Sequence, residues 1–568
     1  MDRPGPDGYL PRVPARHLVL GLDGADLTVI RALGPAALPH LFALMERGAH
    51  AALESVQPPA TLPNWTTFLT GVDPGRHGVF DFTTRQGTEV RFTGGTVREA
   101  PFLVERLDAA GRRCACVAFP ATYPPPRLEH GVFISGWDSP VAFEADRSFV
   151  SPPALHDRLR ARFGPWRFDD ADEMNADQPG WHARLPGLLE ERIAHKVEVA
   201  RWLMERETWD LFALYFGESD TASHHLWAFH DAASPRSPAV PAEARDGLAR
   251  VYRALDAAVG ALARAAGADV EITVVSDHGS GGASDVVLHL NRALAEAGLL
   301  QFHAARGGRL AELVGWAKGQ ALTRLPPRLR ERLFRLAGGR LPGWLESRAR
   351  FGAIDFARTR AFSDELNYFP GVWLNLAERE PQGTVAARDR ESTVRAVEQA
   401  LLALRDPWNG QPVVDTVWRR EELYDGPHLE RAPDLLLRLH LREGYSYNVQ
   451  PSGGPGALFR RLDPSEHLGK KGRSLQGSHR ERGFFAAAGP SVAPVGEIDA
   501  HIADAAATLL ARMGVVVPAE ARGRVLWEAL GETAGETTEL PELAARRAAA
   551  PGDEREVEKR LRALGYVD

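Results

Sequence analysis

The chain has 568 residues, of which 44% are hydrophobic and 25% are charged, and these proportions exclude a mainly disordered or fibrous protein. Its 68 Lys and Arg residues against 75 Asp and Glu residues give a net charge of −7, so no overall basic field indicates nucleic-acid binding. The two cysteines, Cys114 and Cys116, cannot form a disulfide scaffold, and neither a secretory signal nor an apolar run long enough to span a membrane is visible. We therefore expect a cytoplasmic protein.

The first half of the chain has the pattern of an α/β domain. Residues 1–16 are rich in Pro and Gly and predict a flexible tail. Short apolar runs then alternate with helical patterns, and the strand-like runs are 17–23, 132–135, 210–216 and 270–276. Because runs that are apolar on both faces and alternate with helices are typical of a buried parallel sheet, residues 17–282 predict the first part of an α/β domain.

Residues 283–475 have a different pattern, with an Arg-rich segment, a strand-like run at 369–376 and a helix near 391–404. We interpret this stretch as a large α+β insertion or cap subdomain. The fold class predicted is therefore α/β, a central and mostly parallel sheet flanked by helices and interrupted by that insertion.

The sheet pattern resumes in residues 476–530, which we expect to complete the α/β domain. This part contains an apolar run at 483–488 and a helical pattern over 502–513. A charged helical tail, 531–568, ends the chain.

Acidic residues and histidines stand where the apolar runs end. They are Asp23, Asp220 with His224 four residues later, the pair Asp277-His278, and His479 just before the last apolar run. In an open parallel sheet the carboxyl ends of the strands meet at one edge, where ligands bind. If the turn after Asp220 is helical, Asp220 and His224 share one face. The sequence therefore predicts that three carboxylates and three imidazoles converge.

Three carboxylates in one place would repel each other and raise each other's pKa values. Two divalent cations about 4 Å apart would neutralise them and create a hydrolytic centre. Ligation by both His and Asp favours zinc, with manganese and iron as the alternatives. Each residue alone has a simpler interpretation, since an Asp after a strand is often a helix N-cap.

A candidate nucleophile, Thr61, follows a Pro-rich loop and precedes a helical run. The backbone N–H groups and the dipole of a helix N-terminus favour a bound anion there. A hydroxyl needs a metal or a neighbouring base to become a good nucleophile at neutral pH. Without the metal ligands, we would interpret Thr61 as a capping residue.

These motifs together resemble the type I phosphodiesterase/nucleotide pyrophosphatase family of the alkaline phosphatase superfamily. The matching segments, in chain order, are 18–24 (LVLGLDG), 61–65 (TLPNW), 70–78 (TGVDPGRHG), 220–224 (DTASH), 276–279 (SDHG) and 477–479 (GSH). The resemblance covers most of residues 17–530, and it implies that the α/β domain is catalytic and has the alkaline-phosphatase-like fold.

The resemblance also implies roles for individual residues. Asp23, Asp277, His278 and the hydroxyl of Thr61 would hold one zinc ion. Asp220, His224 and His479 would hold the second. Thr61 would attack phosphorus and form a phosphothreonine intermediate that water hydrolyses. The side chain of Asn64 and the amide of Thr61 would donate hydrogen bonds to a phosphate oxygen.

The function expected is hydrolysis of phosphodiester or pyrophosphate bonds in nucleotide-like substrates. A phosphomonoesterase or phosphonate hydrolase on the same site is one alternative, and a phospho-group transferase or a non-catalytic metal-binding protein is another. The family often has a methionine after Asp-His-Gly, where this chain continues with Ser280-Gly-Gly282, so that wall of the site differs. A sulfatase is disfavoured because no Cys/Ser-x-Pro-x-Arg motif is present at Thr61.

The expected partner is a small phosphate ester, and no nucleic-acid surface is evident. Residues 305–350 carry eleven basic residues against three acidic ones. We interpret them as a solvated insertion helix packed on the catalytic domain, and a weak contact with anionic membranes is the alternative. The sequence does not indicate an oligomeric state.

Overall fold

The computed structural model describes residues 16–93, 97–136, 147–165, 173, 176, 178–238, 245–303, 347–348, 350–367, 370–469 and 474–530. The predicted tails 1–16 and 531–568 therefore lie outside the described residues, apart from Arg16. The Arg-rich segment 305–350 also lies outside them, apart from positions 347–348 and 350.

A sheet of nine strands forms the centre of the first part of the molecule. Its strands are β1 (Arg16–Leu22), β2 (Ala49–Glu54), β5 (Cys114–Val117), β6 (Val132–Ile134), β7 (Val150–Ser151), β8 (Leu211–Phe216), β9 (Val270–Val275), β18 (Arg482–Ala488) and β19 (Gly496–Glu497). The order across the sheet is β19-β2-β18-β9-β1-β8-β5-β6-β7. Strands β9, β1, β8, β5 and β6 are parallel, whereas β18 is antiparallel to both of its neighbours, β2 and β9.

The central strands are buried on both faces, as the apolar runs predicted. All six residues of β8 are buried, and so are all residues of β1 except Arg16. Strand β1 lies between β8 and β9, with Leu20 opposite Leu214 on one side and Val274 on the other. A strand in this position needs helices on both faces, because its side chains alternate between the two.

Thirteen α-helices are described in this structure. They are α1 (Leu27–Leu33), α2 (Pro39–Arg47), α3 (Thr61–Thr70), α4 (Pro74–His77), α5 (Leu103–Ala109), α6 (Pro153–Phe163), α7 (Trp181–Arg206), α8 (Glu218–His230), α9 (Gly247–Ala266), α10 (Leu290–Glu296), α11 (Arg390–Leu402), α12 (Arg420–Leu423) and α13 (Ile502–Arg512). Helices α2, α7, α8 and α9 form one group that packs on the central strands. Helices α3, α5 and α13 form a second group. The sequence pattern does not predict the long helix α7, and Gly34 ends α1 before α2 begins at Pro39.

The remaining strands form smaller sheets outside the nine-stranded one. They are β3 (Thr83–Gln86), β4 (Glu89–Phe92), β10 (Gly279–Leu288), β11 (Ala361–Ser363), β12 (Gly371–Leu374), β13 (Val414–Arg419), β14 (Leu435–Leu439), β15 (Ser446–Val449), β16 (Phe459–Arg461) and β17 (Gly477–Arg480). Strand β10 pairs with β15, β16 and β17, and β11 to β14 form an antiparallel sheet with its own apolar core.

The insertion has the mixed α+β content that the sequence predicted. Its predicted helix is α11, and its predicted strand is the shorter β12. The proposed first boundary, between residues 282 and 283, falls within β10, which pairs with strands from both the insertion and the last part of the chain. The division into 17–282, 283–475 and 476–530 stays a prediction.

Candidate metal centre

The structure brings the predicted ligands together at one edge of the nine-stranded sheet. Asp23 follows β1, Asp220 is in the first turn of α8 after β8, and Asp277-His278 connects β9 to β10. His479 lies on β17, directly before β18. Because β18 runs antiparallel to β9, the start of β18 lies at the same edge as the end of β9. For this reason His479, which precedes a strand, lies at the same edge as the predicted ligands that follow strands.

Each of the three carboxylates has one oxygen aimed into the cluster. Among the described residues no hydrogen-bond donor reaches Asp23 Oδ1, Asp220 Oδ1 or Asp277 Oδ2, although all three atoms are buried. Such an atom loses its hydration without replacement, which is unfavourable for folding. Three such oxygens in one cluster are the arrangement that a cation needs.

Residues that the sequence analysis did not assign hold the Asp23 carboxylate in place. The Tyr215 hydroxyl donates to Asp23 Oδ2 at 2.6 Å, and the Trp65 indole N–H donates to the same oxygen at 3.0 Å. The amide of Gly24 donates to Asp277 Oδ1 at 3.1 Å. These bonds direct the second oxygen of each carboxylate into the cluster.

Three histidines present their Nε2 atoms to the cluster because each Nδ1 contacts a backbone carbonyl. The Nδ1–oxygen pairs are His224 with Gly477 at 3.1 Å, His278 with Gly279 at 3.0 Å and His479 with Pro59 at 2.7 Å. A carbonyl partner places the proton on Nδ1 and leaves Nε2 as the metal-binding atom. This tautomer is the one that a zinc ligand requires.

The distances between these atoms define two overlapping groups. Asp220 Oδ1 lies 3.2 Å from His224 Nε2 and 3.5 Å from His479 Nε2, and the two Nε2 atoms are 3.1 Å apart. His278 Nε2 lies 3.4 Å from Asp23 Oδ1 and 3.3 Å from Asp277 Oδ2. The ligand atoms of Asp23, Asp220 and His278 lie within 4.8 Å of one another. Asp220 therefore stands between the two predicted ligand sets.

Burial and mutual interactions shift the pKa values of the carboxyl groups and histidines in the cluster. Burial raises the pKa of Asp23 and of Asp277, and repulsion from Asp220 and Asp23, respectively, raises each further. Burial would also raise the pKa of Asp220, but its interactions with His224 and His479 hold it below its usual range. Burial lowers the pKa of His278 and His479, which favours the neutral, metal-binding form. The residues present thus fit divalent cations in donor type, tautomer and charge.

Thr61 is the first residue of α3 and is buried beside the cluster. Its hydroxyl lies 3.4 Å from His278 Nε2. The residue before it, Ala60, has no side chain that could cap the helix, so the first amides of α3 remain available to an anion. Thr61 is therefore not the capping residue of the alternative interpretation.

The Asn64 side chain is bonded to the loop before α3 in this structure, and its predicted contact with phosphate stays a prediction. The Asn64 amide donates to the carbonyls of Pro58 and Ala60, both at 2.9 Å, and lies 3.3 Å from that of Val56. Its carbonyl accepts from the Val56 amide at 2.8 Å. These hydrogen bonds fix the loop that carries Thr61.

Two further histidines, His77 and His225, have structural contacts. His77 is fully buried, with Nε2 at 3.0 Å from the Thr67 hydroxyl and Nδ1 accepting from the Val79 amide at 3.1 Å. His225 neighbours a ligand but lies against Glu173, with 3.6 Å between Nε2 and the carboxylate. Neither residue belongs to the candidate ligand groups described above.

A cavity of about 1100 Å³ opens next to the cluster. It is bordered by His479, by Pro59 of the Thr61 loop and by the Ser280-Gly-Gly282 segment. Trp227, Tyr445 and Arg480 also line it. None of the helices in the described ranges is both long and apolar enough to cross a membrane.

Comparisons with known structures identify the same fold at low sequence identity. Phosphonoacetate hydrolase from Sinorhizobium meliloti 1021, in complex with phosphonoacetate, has 18% identity and a TM-score of 0.50, and the match covers 87% of this chain and 94% of that one. Murine ectonucleotide pyrophosphatase/phosphodiesterase 5, solved as an inactive form in complex with AMP, has 14% identity and a TM-score of 0.46. That match covers 91% of this chain and 100% of the murine chain. A search of curated proteins found no match.

A family profile matches much more of the sequence than any motif does. The profile of type I phosphodiesterase/nucleotide pyrophosphatase matches residues 17–472, which contain Thr61 and every predicted ligand except His479. The chain therefore belongs to the type I phosphodiesterase/nucleotide pyrophosphatase family of hydrolases.

Proposed function

We propose that the protein hydrolyses phosphodiester or pyrophosphate bonds of nucleotide-like substrates, with Thr61 as the nucleophile. The observation that carries this proposal is the position of the Thr61 hydroxyl. It is buried at a helix N-terminus, 3.4 Å from His278 Nε2, beside carboxylate oxygens that lack other partners among the described residues.

Asp23, Asp277, His278 and the Thr61 hydroxyl would hold one divalent cation, and Asp220, His224 and His479 would hold a second. Zinc suits the mixture of imidazole and carboxylate, with manganese and iron as alternatives. When bound, such cations neutralise the carboxylates, lower the pKa of a coordinated hydroxyl and stabilise charge on the phosphoryl oxygens.

In the first step the Thr61 oxygen forms a bond to phosphorus while the bond from phosphorus to the leaving oxygen breaks. The electron pair of that bond stays on the leaving alkoxide or phosphate oxygen, the Thr61 hydroxyl gives up its proton to solvent, and an alkoxide takes up a proton from solvent to leave as the alcohol. In the second step water attacks phosphorus and gives up a proton, and the bond from phosphorus to Thr61 breaks as the Thr61 oxygen takes up a proton. The first amides of α3 donate to the phosphoryl oxygens in both steps.

Neighbouring structure keeps Thr61 in position for this reaction. Asn64 binds three carbonyls of the preceding loop, and the hydroxyl of Tyr424 donates to the Gln57 carbonyl at 2.7 Å. His479 Nδ1 contacts the Pro59 carbonyl, so the loop is tied to a proposed ligand. A nucleophile held in this way loses little further freedom when substrate binds.

The size of the adjoining cavity supports a diester over a monoester. A phosphate monoester has a single organic group, whereas a diester needs space on two sides of phosphorus. The cavity of about 1100 Å³ beside His479 supplies such space. Phosphomonoesterase and phosphonate hydrolase activities remain the alternatives on the same site, and phospho-group transfer or metal binding without turnover are alternatives of other classes.

The test is turnover of bis-p-nitrophenyl phosphate beside p-nitrophenyl phosphate by zinc-loaded protein. We expect faster turnover of the diester, and a loss of about 10³-fold or more in Thr61→Ala, because a covalent route is removed. Thr66→Ala is the matched control, since Thr66 is buried in the same helix and its hydroxyl donates to the Leu62 carbonyl.

Three other outcomes would change the proposed substrate, the nucleophile or the assignment as an enzyme. Turnover of the monoester alone would keep the site and make the protein a phosphatase. Equal rates in Thr61→Ala and wild type would exclude Thr61 as the nucleophile. Absence of turnover, together with bound zinc, would favour the non-catalytic alternative.

A further inference from the structure

Among the described residues, four buried serines donate hydrogen bonds to the loops that carry Asp23, Asp277 and His278, ligands of the first proposed cation. In each bond a side-chain hydroxyl donates to a backbone carbonyl. The Oγ–oxygen pairs are Ser55 with Asp277 at 2.7 Å, Ser219 with Asp23 at 2.6 Å, Ser276 with His278 at 2.7 Å and Ser280 with Gly24 at 2.6 Å. Every acceptor is thus the main chain of a ligand or of the residue next to one. The four serines are at most 5% exposed, so these bonds are shielded from water.

These ligand loops lie outside the helices and strands. Asp23 lies in the turn after β1, and Asp277 and His278 lie between the end of β9 and the start of β10. Such a loop lacks the bonds of a helix or a sheet ladder, and its buried carbonyls need other donors. The hydroxyls of the four serines supply these donors, so they fix main chain that the secondary structure leaves unsupported.

The ligands of the second proposed cation stand on regular secondary structure instead. Asp220 and His224 are in α8, and His479 is in β17, where it pairs with Ser280 of β10. Helix and ladder bonds hold this main chain without the help of serine hydroxyls. The two proposed ligand sets therefore differ in how their backbone is held.

Ser280 connects more of the site than its hydroxyl bond alone. Its backbone amide donates to Asp26 Oδ2 at 3.2 Å, and the other oxygen of Asp26 caps α1 by accepting from the Thr28 amide at 2.7 Å. Ser280 thus joins β10, which follows His278, to the turn that carries Asp23. It stands where the family often has a methionine, which has no hydroxyl to donate. The departure from the family pattern therefore adds a bond between two ligand loops of this chain.

We infer that the four serines are positioning residues, which hold the ligand loops of the first cation in the binding arrangement before that cation arrives. The inference rests on the ligand sets of the proposed function and adds the residues that pre-form one of them. Ligands that are already in place lose less freedom on binding, and removal of a supporting hydrogen bond commonly lowers metal affinity by about 10- to 100-fold. The affinity for the first cation should therefore depend on the serines, whereas the affinity for the second should not.

Two one-site proteins separate the cations. His224→Ala removes a ligand of the second set and His278→Ala removes a ligand of the first, so each protein should bind one zinc ion. Competition with a chromogenic chelator measures the zinc affinity of each protein with and without Ser280→Ala. We expect Ser280→Ala to lower the affinity by about tenfold or more in His224→Ala and to leave it unchanged in His278→Ala. Equal losses in both proteins, or no loss in His224→Ala, would overturn the inference.

Further variants assign the effect to the hydroxyl. Ser280→Thr keeps a hydroxyl and should retain most of the zinc affinity. Ser363→Ala is the matched control, since the buried Ser363 hydroxyl donates to the Gly371 carbonyl at 2.7 Å within the insertion, and its loss should change neither affinity. A fall in Ser363→Ala as large as that in Ser280→Ala would overturn the inference. Ser55→Ala repeats the test on the Asp277 carbonyl, and it decides the matter if Ser280→Ala does not fold.

Zinc binding needs no substrate, so this test is independent of hydrolysis. If the wild type binds two zinc ions but hydrolyses neither nitrophenyl ester, the proposed function fails, and the affinities of the one-site proteins still decide the inference. If turnover occurs while Ser280→Ala weakens both one-site proteins alike, the proposed function stands and the inference fails. Absence of zinc binding by the wild type overturns the inference together with the proposed cation sites.

Discussion

At the residue scale, the candidate metal centre depends on side chains that do not themselves face the cluster. Asp23 receives two hydrogen bonds on one oxygen, from Tyr215 and Trp65, and this leaves the other oxygen for a cation. The histidines are oriented in the same way, through carbonyls bonded at Nδ1. Partners of this kind commonly change metal affinity by about 10- to 100-fold when they are removed.

Removal of the Tyr215 hydroxyl tests this arrangement. In Tyr215→Phe, Asp23 loses its bond of 2.6 Å and can rotate, so we expect zinc affinity or activity to fall by about tenfold. Competition with a chromogenic chelator measures the affinity. Tyr123→Phe is the control, because it removes a hydroxyl that contacts Ser148 instead of the cluster. Equal affinities in wild type and Tyr215→Phe would show that Asp23 needs no such support.

His77 gives a pH-dependent contribution to stability. Burial, followed by the charges of Arg98 and His428, lowers its pKa from 6.5 to about 3. Unfolded His77 binds a proton below about pH 6.5 while folded His77 stays neutral, so the free energy of unfolding falls as the pH drops from 7 towards 3. Between pH 7 and pH 5 the loss is about 2 kcal/mol.

The measurement is urea unfolding in chelator at both pH values, for wild type and His77→Asn. Other buried histidines also contribute to the pH dependence, so the difference between the two proteins isolates His77. The variant, though less stable at pH 7, should lose about 2 kcal/mol less on acidification. The same loss in both proteins would contradict the assignment.

At the element scale, the close contact between β17 and α8 joins two ligands of one predicted cation. A Cβ at Gly477 would lie 2.1 Å from the Ser223 carbonyl oxygen, so the strand can approach the helix only with glycine there. This approach places His479 Nε2 at 3.1 Å from His224 Nε2.

Gly477→Ala should therefore separate the two elements. We expect a loss of stability of about 1–3 kcal/mol from overpacking, and about half the zinc content of wild type by elemental analysis. Gly187→Ala is the matched control, because Gly187 lies in α7 with open space around its Cβ position, and helix propensity makes the variant as stable as wild type or more so. Normal zinc content in Gly477→Ala would mean that the β17–α8 spacing does not matter.

At the scale of the whole molecule, the cluster opposes folding until cations bind. Three carboxylates converge there, and burial with mutual repulsion raises the pKa of two of them. Binding of a cation to the folded protein alone stabilises it by mass action. Chelation should therefore lower the melting temperature, and zinc should restore it.

The effect of Asp277→Asn on the melting temperature should have opposite signs without and with zinc. Without metal the variant relieves repulsion, and its amide oxygen can still accept from Gly24, so we expect a higher melting temperature than wild type. With zinc it lacks a ligand, so we expect a lower one. Asp256→Asn is the control, since Asp256 accepts from two amides of α2 far from the cluster and should lower the melting temperature equally in both conditions. A lower melting temperature for Asp277→Asn in chelator would contradict the repulsion argument.

The sequence was sufficient to predict the sheet and the convergence of the acidic residues and histidines, because both depend on local pattern and strand ends. The apolar runs became β1, β8 and β9, and their terminal Asp and His residues converge. The antiparallel direction of β18 could not be predicted, since a buried strand has the same composition in either direction. The role of Tyr215 was also hidden, because a tyrosine inside an apolar strand is usually a core residue.

Asn64 shows another limit, because a motif does not reveal the hydrogen bonds that its side chains make to the surrounding loop. Its position in the motif is compatible with phosphate binding, but its hydrogen bonds all go to the loop before α3. The order of motifs identifies the family. The role of each residue within a motif depends on loop geometry that the sequence does not specify.

The most direct test of the account is mass spectrometry of zinc-loaded enzyme quenched in acid during turnover of bis-p-nitrophenyl phosphate. We predict that the peptide containing Thr61 gains the mass of one p-nitrophenyl phosphoryl group, and that fragmentation places this group on Thr61. Thr66→Ala should show the same adduct, and Thr61→Ala should show none. Rapid turnover with no adduct on Thr61, under conditions in which hydrolysis of the intermediate limits the rate, would contradict the proposed nucleophile.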